Sequence, residues 1–160
     1  MPTREIDIKT LPDLVGQEIA VGDWFEVTQD RINQFADVTE DHQWIHLDAE
    51  RAKAESPFAT TIAHGFLTLS LMSHLLAAAV KVTGEVAFAV NYGFNKVRFP
   101  APVPAGAKVR ARVTLQSIEP VKAGLQIVWN VNIEVQDAPK PAVAAEWIAR
   151  MYGPTLNPDA

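Results

Sequence analysis

The chain has 160 residues, a net charge of −5 and no cysteine. That length suits a single domain whose core needs no staples, and the missing cysteines exclude disulfides, thiolate zinc sites and a Cys nucleophile. The positive residues are scattered rather than clustered, which speaks against a nucleic-acid partner.

The first seven residues, Met1-Pro2-Thr3-Arg4-Glu5-Ile6-Asp7, have no apolar core after their charge. No secretory signal is expected, and a cytoplasmic protein is the default. Residues 22–27 read as a short strand. Asp30 is placed to cap a helix over 31–38, with Ile32, Phe35 and Ala36 on one face. Residues 39–44 are polar and read as irregular. Asp48 then caps a short helix over 49–54, which Ser56-Pro57 ends.

Residues 62–80 contain no Asp, Glu, Lys or Arg. They do contain His64, Thr68, Ser70, Ser73 and His74, so the expectation is a helix buried within its own protein, not a membrane span. Gly65 opens this helix, which is predicted to run to about Val82 and to stop at Thr83-Gly84. His74 is expected in the core, with Ser70 and Ser73 bonding carbonyls of the preceding turn.

The remainder reads as sheet. Residues 86–99 alternate at Phe88, Val90, Tyr92 and Phe94, then resume out of phase at Val97 and Phe99, which predicts a bulge near 93–96. A proline-rich turn covers 100–106. Val109, Ala111, Val113 and Leu115 alternate with polar residues, as do Leu125, Ile127, Trp129, Val131, Ile133 and Val135. Residues 142–152 close the sheet, and 153–160 read as a flexible tail. The fold class is therefore α+β, a curved antiparallel sheet wrapped around a long apolar helix, in one domain over 1–160.

Two short runs carry the chemistry: Asp41-His42-Gln43-Trp44-Ile45-His46, and Thr61-Ile62-Ala63-His64-Gly65 at the helix start. A carboxylate and an imidazole can hold one water and exchange its protons. Backbone N–H groups at a helix start can stabilise negative charge growing on a carbonyl oxygen. Taken alone, Asp41 could be a turn residue, His46 a structural histidine and Gly65 a packing glycine. His42 and His46 have a spacing that suits zinc on a helix, but their segment reads as loop and has no HExxH pattern, so no metal is expected.

Over roughly residues 22–151 the chain resembles the MaoC-like dehydratase family of (R)-specific enoyl-CoA hydratases, which have the hot-dog fold. Asp41 and His46 match the ends of that family's Asp-x-Asn-Pro-x-His motif. Ala63-His64-Gly65-Phe66-Leu67 matches its helix start, and Arg98-Phe99, Pro102-Val103 and Gly106 its following segment. Gln43 and Trp44 depart from the motif's Asn and Pro, and the run is similar to that of NodN-like members.

The resemblance implies a hydratase/dehydratase interconverting trans-2-enoyl-CoA and (R)-3-hydroxyacyl-CoA. Asp41 and His46 would activate the water, and the Gly65 N–H would face the thioester oxygen. Gln43, Trp44, His64, Ser73 and Arg98 would line the substrate site, with His64 also read as a structural residue holding the loop before the helix, while Lys96, Arg98, Arg110 and Arg112 are candidate phosphate contacts or a solvated strand face. No cofactor is implied, since CoA or phosphopantetheine arrives with the substrate, and a homodimer is expected. An acyl-CoA thioesterase on the same fold and a non-catalytic acyl-thioester-binding subunit are the alternatives.

Overall fold

The computed structural model describes residues 3–156. In chain order it contains β1 (Arg4–Asp7), a 3₁₀ turn (Leu11–Leu14), β2 (Glu18–Val21) and β3 (Phe25–Glu26). Five helices follow: α1 (Gln29–Thr39), α2 (Trp44–Leu47), α3 (Ala49–Glu55), α4 (Gly65–Ser70) and α5 (Met72–Ala79). Strands β4 (Val80–Thr83), β5 (Phe88–Arg98), β6 (Lys108–Val121), β7 (Gly124–Val135) and β8 (Val143–Tyr152) complete it.

The main sheet is antiparallel with strand order β2-β6-β7-β8-β5, and β3 extends it along β6. Register explains its core. Ala111 lies opposite Ile133, Val113 opposite Val131 and Leu115 opposite Trp129, so apolar side chains meet on one face. On β8, Val143, Ala145 and Trp147 continue that face opposite Ile133, Val131 and Trp129. The other face is polar: Arg110 and Arg112 both bind Glu134 at 2.7 Å, and Arg112 also binds Glu18 at 2.8 Å. The last strand lies between β7 and β5 rather than closing the sheet at its edge.

The slip in β5 is real. Its register with β8 shifts between Asn91 and Gly93 and again between Phe94 and Lys96. Among the described residues β5 is an edge strand, and its Phe88, Val90, Tyr92 and Phe94 are exposed.

The apolar helix differs from expectation in three ways. It is interrupted at Leu71, where the Ser70 hydroxyl donates to the Phe66 carbonyl at 2.7 Å, a back-bond that competes with the helical ladder. It ends at Ala79, because the β-branched stretch 80–83 pairs in parallel with β1, a strand the sequence did not signal. It is also not buried all round. Leu67, Met72, Leu75 and Ala79 enter the core, while Phe66, Ser73 and His74 are exposed, and His74 lies edge-on to Phe25 rather than in the core. Helix α5 packs on β6 and α4 on β8. Among the described residues no helix is long and apolar enough to cross a membrane.

Smaller corrections follow local chemistry. Helix α1 is capped by Thr28, whose side chain accepts from the Arg31 N–H, and Asp30 sits in its first turn. Strand β2 ends before Gly22, and β3 resumes only at Phe25. Asp48 caps α3 as predicted, accepting from the Arg51 N–H at 2.9 Å. Of the expected tail, residues 153–156 form a turn that packs Leu156 against the core, and 157–160 lie outside the described residues.

Candidate active site

Helix α1 stops at Glu40, whose left-handed φ of 60° turns the chain out. Asp41 to Gln43 are non-helical, and His46 then rides on the single turn α2 rather than in a loop. The chain returns through residues 56–64, pinned on both sides. The Ile62 N–H donates to the Ile45 carbonyl at 3.1 Å and the Ala63 N–H to the Val103 carbonyl at 2.8 Å. This return places His64, the residue before α4, beneath His46 with ring centroids 3.8 Å apart and planes 26° from parallel.

Hydrogen bonds fix both tautomers. His46 Nδ1 lies 2.7 Å from the Ile62 carbonyl oxygen, which can only accept, so Nδ1 carries the proton and Nε2 presents a lone pair. His64 Nε2 lies 3.0 Å from the Asp41 backbone carbonyl and must likewise be the donor. Burial holds the His46 imidazole below its ordinary pKa, outweighing the Ile62 bond that raises it, and the neighbouring His64 lowers it further. His46 is therefore buried with an open Nε2 lone pair, and burial favours its neutral form.

A carboxylate oxygen of Asp41 and ring nitrogens of His46 and His64 lie within 4.8 Å of one another. One water making two hydrogen bonds of about 2.8 Å each spans that distance. A metal fits less well. The rings are stacked, so their in-plane lone pairs lie in separate, near-parallel planes, and His64 Nδ1 is sealed from solvent without a hydrogen-bond partner among the described residues.

Support for His46 comes from residues the sequence did not single out. Gln29, on α1, donates from Nε2 to the His46 carbonyl at 2.8 Å, and the buried Thr61 hydroxyl donates to Gln29 Oε1. Their separation along the chain left no local signal. Gly65 follows directly. As the first residue of α4 it has an N–H the helix cannot satisfy, and His64 gives no side-chain cap. A Cβ here would stand 3.2 Å from the Phe99 ring, so a side chain would press on that aromatic cover. Gly65 also lines a cavity of about 390 Å³ with Phe58, Ile62, Thr68, Phe99 and Val103.

The other expected site residues divide. Gln43 is exposed at the start of α2, and Trp44 is half-buried with the Arg51 guanidinium 4.3 Å over its ring. Arg98 is exposed and donates to its own neighbour's carbonyl, Val97. His64 is 2% exposed and has no open nitrogen to offer a substrate. Ser73 lines a different, largely apolar cavity of about 440 Å³ with Leu76, Trp129 and Trp147, sharing no residue with the one at Gly65. His42 turns away, its Nε2 held 3.1 Å from Asp37. Arg110 and Arg112 are engaged by Glu134, which leaves Lys96 and Arg98 as the cations of that set without a carboxylate partner among the described residues.

The chain matches the family profile described as "MaoC like domain" over residues 11–136. It is 48% identical over 144 residues to 3-hydroxyacyl-thioester dehydratase Z of Mycobacterium tuberculosis, covering 89% of this chain and 94% of that one. It is 42% identical over 159 residues to Nodulation protein N of Rhizobium meliloti, covering 98% and 99%. Among solved structures it is similar to R-hydratase PhaJ1 of Pseudomonas aeruginosa in the unliganded form, with a TM-score of 0.66, 26% identity, and 87% and 82% of the two chains covered. The protein belongs to the MaoC-like dehydratase family and has its hot-dog fold.

Proposed function

We propose that the protein is a lyase that adds water to trans-2-enoyl-CoA, giving (R)-3-hydroxyacyl-CoA, and catalyses the reverse dehydration. The single observation that carries this reading is the Asp41 carboxylate within 4.8 Å of an imidazole whose Nε2 lone pair is set by the Ile62 bond. The names of the relatives, a 3-hydroxyacyl-thioester dehydratase and an R-hydratase, support the same chemistry.

An isolated alkene resists water. Conjugation to the thioester makes C3 electrophilic if the carbonyl oxygen can take up charge, and the Gly65 N–H serves that oxygen. Losing a donor of this type costs about 2.7–4 kcal/mol in the barrier. The water donates to the Asp41 carboxylate and to His46 Nε2, with its oxygen toward C3. As the C3–O bond forms, Asp41 takes the water's proton and the π electrons move onto the thioester. That proton, directly or through His46, then bonds to C2 as the electrons return. Carboxylate and imidazole act as one titrating unit. Gln43, Trp44 and the exposed Arg98 are the proposed substrate contacts at the site's rim.

No resident cofactor is required by this chemistry. A homodimer follows from β5, a long edge strand with exposed Phe88, Val90, Tyr92 and Phe94 that would otherwise template unwanted pairing, and from the exposed Phe66 of α4, which lies edge-on to Phe99 just past that strand. Sedimentation at micromolar concentration should give twice 17.5 kDa; a fully active monomer would refute the dimer.

The decisive assay is hydration of enoyl-CoA in D₂O with the product resolved on a chiral phase. A water held on one face adds syn, so the expected product is (R)-3-hydroxyacyl-CoA with deuterium at C2 on the face of the new hydroxyl. An (S) product, or release of free thiol without hydration as a thioesterase would give, overturns the proposal.

A further inference from the structure

We propose that His64 is a positioning residue for this reaction: through its Nε2–H it holds the Asp41 backbone carbonyl, and so keeps the carboxylate facing the same water as His46. This rests on the hydratase reading above.

Several features point to the bond rather than to packing. His64 is 2% exposed, and its Nδ1 is buried with no hydrogen-bond partner among the described residues. Leucine or phenylalanine would fill this space beside the Phe35 ring, 5.0 Å away, without stranding a buried acceptor. What histidine alone supplies is a donor 3.0 Å from the Asp41 carbonyl, carried on a ring that also lies flat beneath His46. Asp41 itself stands in the short non-helical span between α1 and α2. Without that bond its side chain would swing with the span. The arrangement has a counterpart, because the His46 carbonyl is gripped by the Gln29 amide.

Three variants separate the donor from the ring. His64→Gln places an amide N–H near the lost Nε2 position. His64→Phe keeps a ring but has no donor, and His64→Asn is too short to reach. With trans-2-butenoyl-CoA as probe, His64→Phe and His64→Asn should lower kcat by about tenfold or more with KM within about twofold, as expected when a reacting group is misplaced by a fraction of an ångström. His64→Gln should recover most of that loss. Backbone ¹⁵N order parameters across 41–43 should fall in His64→Phe and His64→Asn but not in His64→Gln.

Wild-type kcat in either folded donorless variant, a loss confined to KM, or His64→Gln no better than His64→Phe would overturn the proposal. So would failure of both donorless variants to fold beside a stable His64→Gln, which would make the bond structural. If the wild-type protein hydrates no enoyl thioester, the functional reading fails separately. The order-parameter measurement then decides the placement of Asp41 by itself, and unchanged order parameters in the donorless variants overturn it.

Discussion

Replacing Asp41 with asparagine separates chemistry from folding unusually well at this site. The Asp41 side chain is exposed, and its tie to the fold is the backbone carbonyl that accepts from His64. Asparagine keeps that carbonyl and the side chain's shape, so stability should change by no more than about 0.5 kcal/mol, the range for surface substitutions away from special features. For a chain of this size that is a melting shift under about 2 °C. The proton acceptor is lost, however, and kcat should fall at least about 100-fold, or about 2.7 kcal/mol in the barrier. The companion variant is His46→Asn, whose amide N–H can replace Nδ1–H toward the Ile62 carbonyl while Nε2 disappears. It should lose activity on the same scale. Because the two groups act on one water, the double variant should be far less than multiplicatively worse. The assay is loss of enoyl-thioester absorbance at saturating substrate, run beside thermal melts. Near-wild-type turnover in either folded single variant would refute the assignment.

Two further outcomes follow from the same geometry. His46 is held below its ordinary value, chiefly by burial, so its contribution to the acid limb of kcat/KM should have its midpoint below about 6.5, and the limb should move in His46→Asn, where only the carboxylate is left to titrate. Stability should share the sign: below that ordinary value the unfolded chain takes up a proton before the folded one, so stability is full above it and erodes as pH falls, less so in His46→Asn by urea titration. Dialysis against a strong chelator should leave turnover unchanged, because the site's imidazoles are committed to carbonyls and to the water; a stoichiometric metal whose removal abolishes activity would contradict this.

The sequence by itself determined whatever depends on neighbours along the chain. The burial of Val109, Ala111, Val113 and Leu115 follows from a side-chain period of two, which no partner can alter without turning the whole strand over. The bulges of β5 show in the same period as a change of phase, and the Asp48 cap is a bond to an N–H three residues on. The spacing of Asp41, His46 and Gly65 was likewise open to reading.

Tertiary structure decided the rest. Residues 80–83 read as the last turn of the apolar helix, and pairing with β1, which is distant along the chain, makes them strand. His64 reads as a loop or substrate residue until the return of 56–64 stacks it on His46 and turns its Nε2 to the Asp41 carbonyl. Gln29 and Thr61 carry no local mark of their hold on His46. An imidazole's tautomer depends on which carbonyl it meets, and a carbonyl brought from 16 residues away along the chain is chosen by the fold alone.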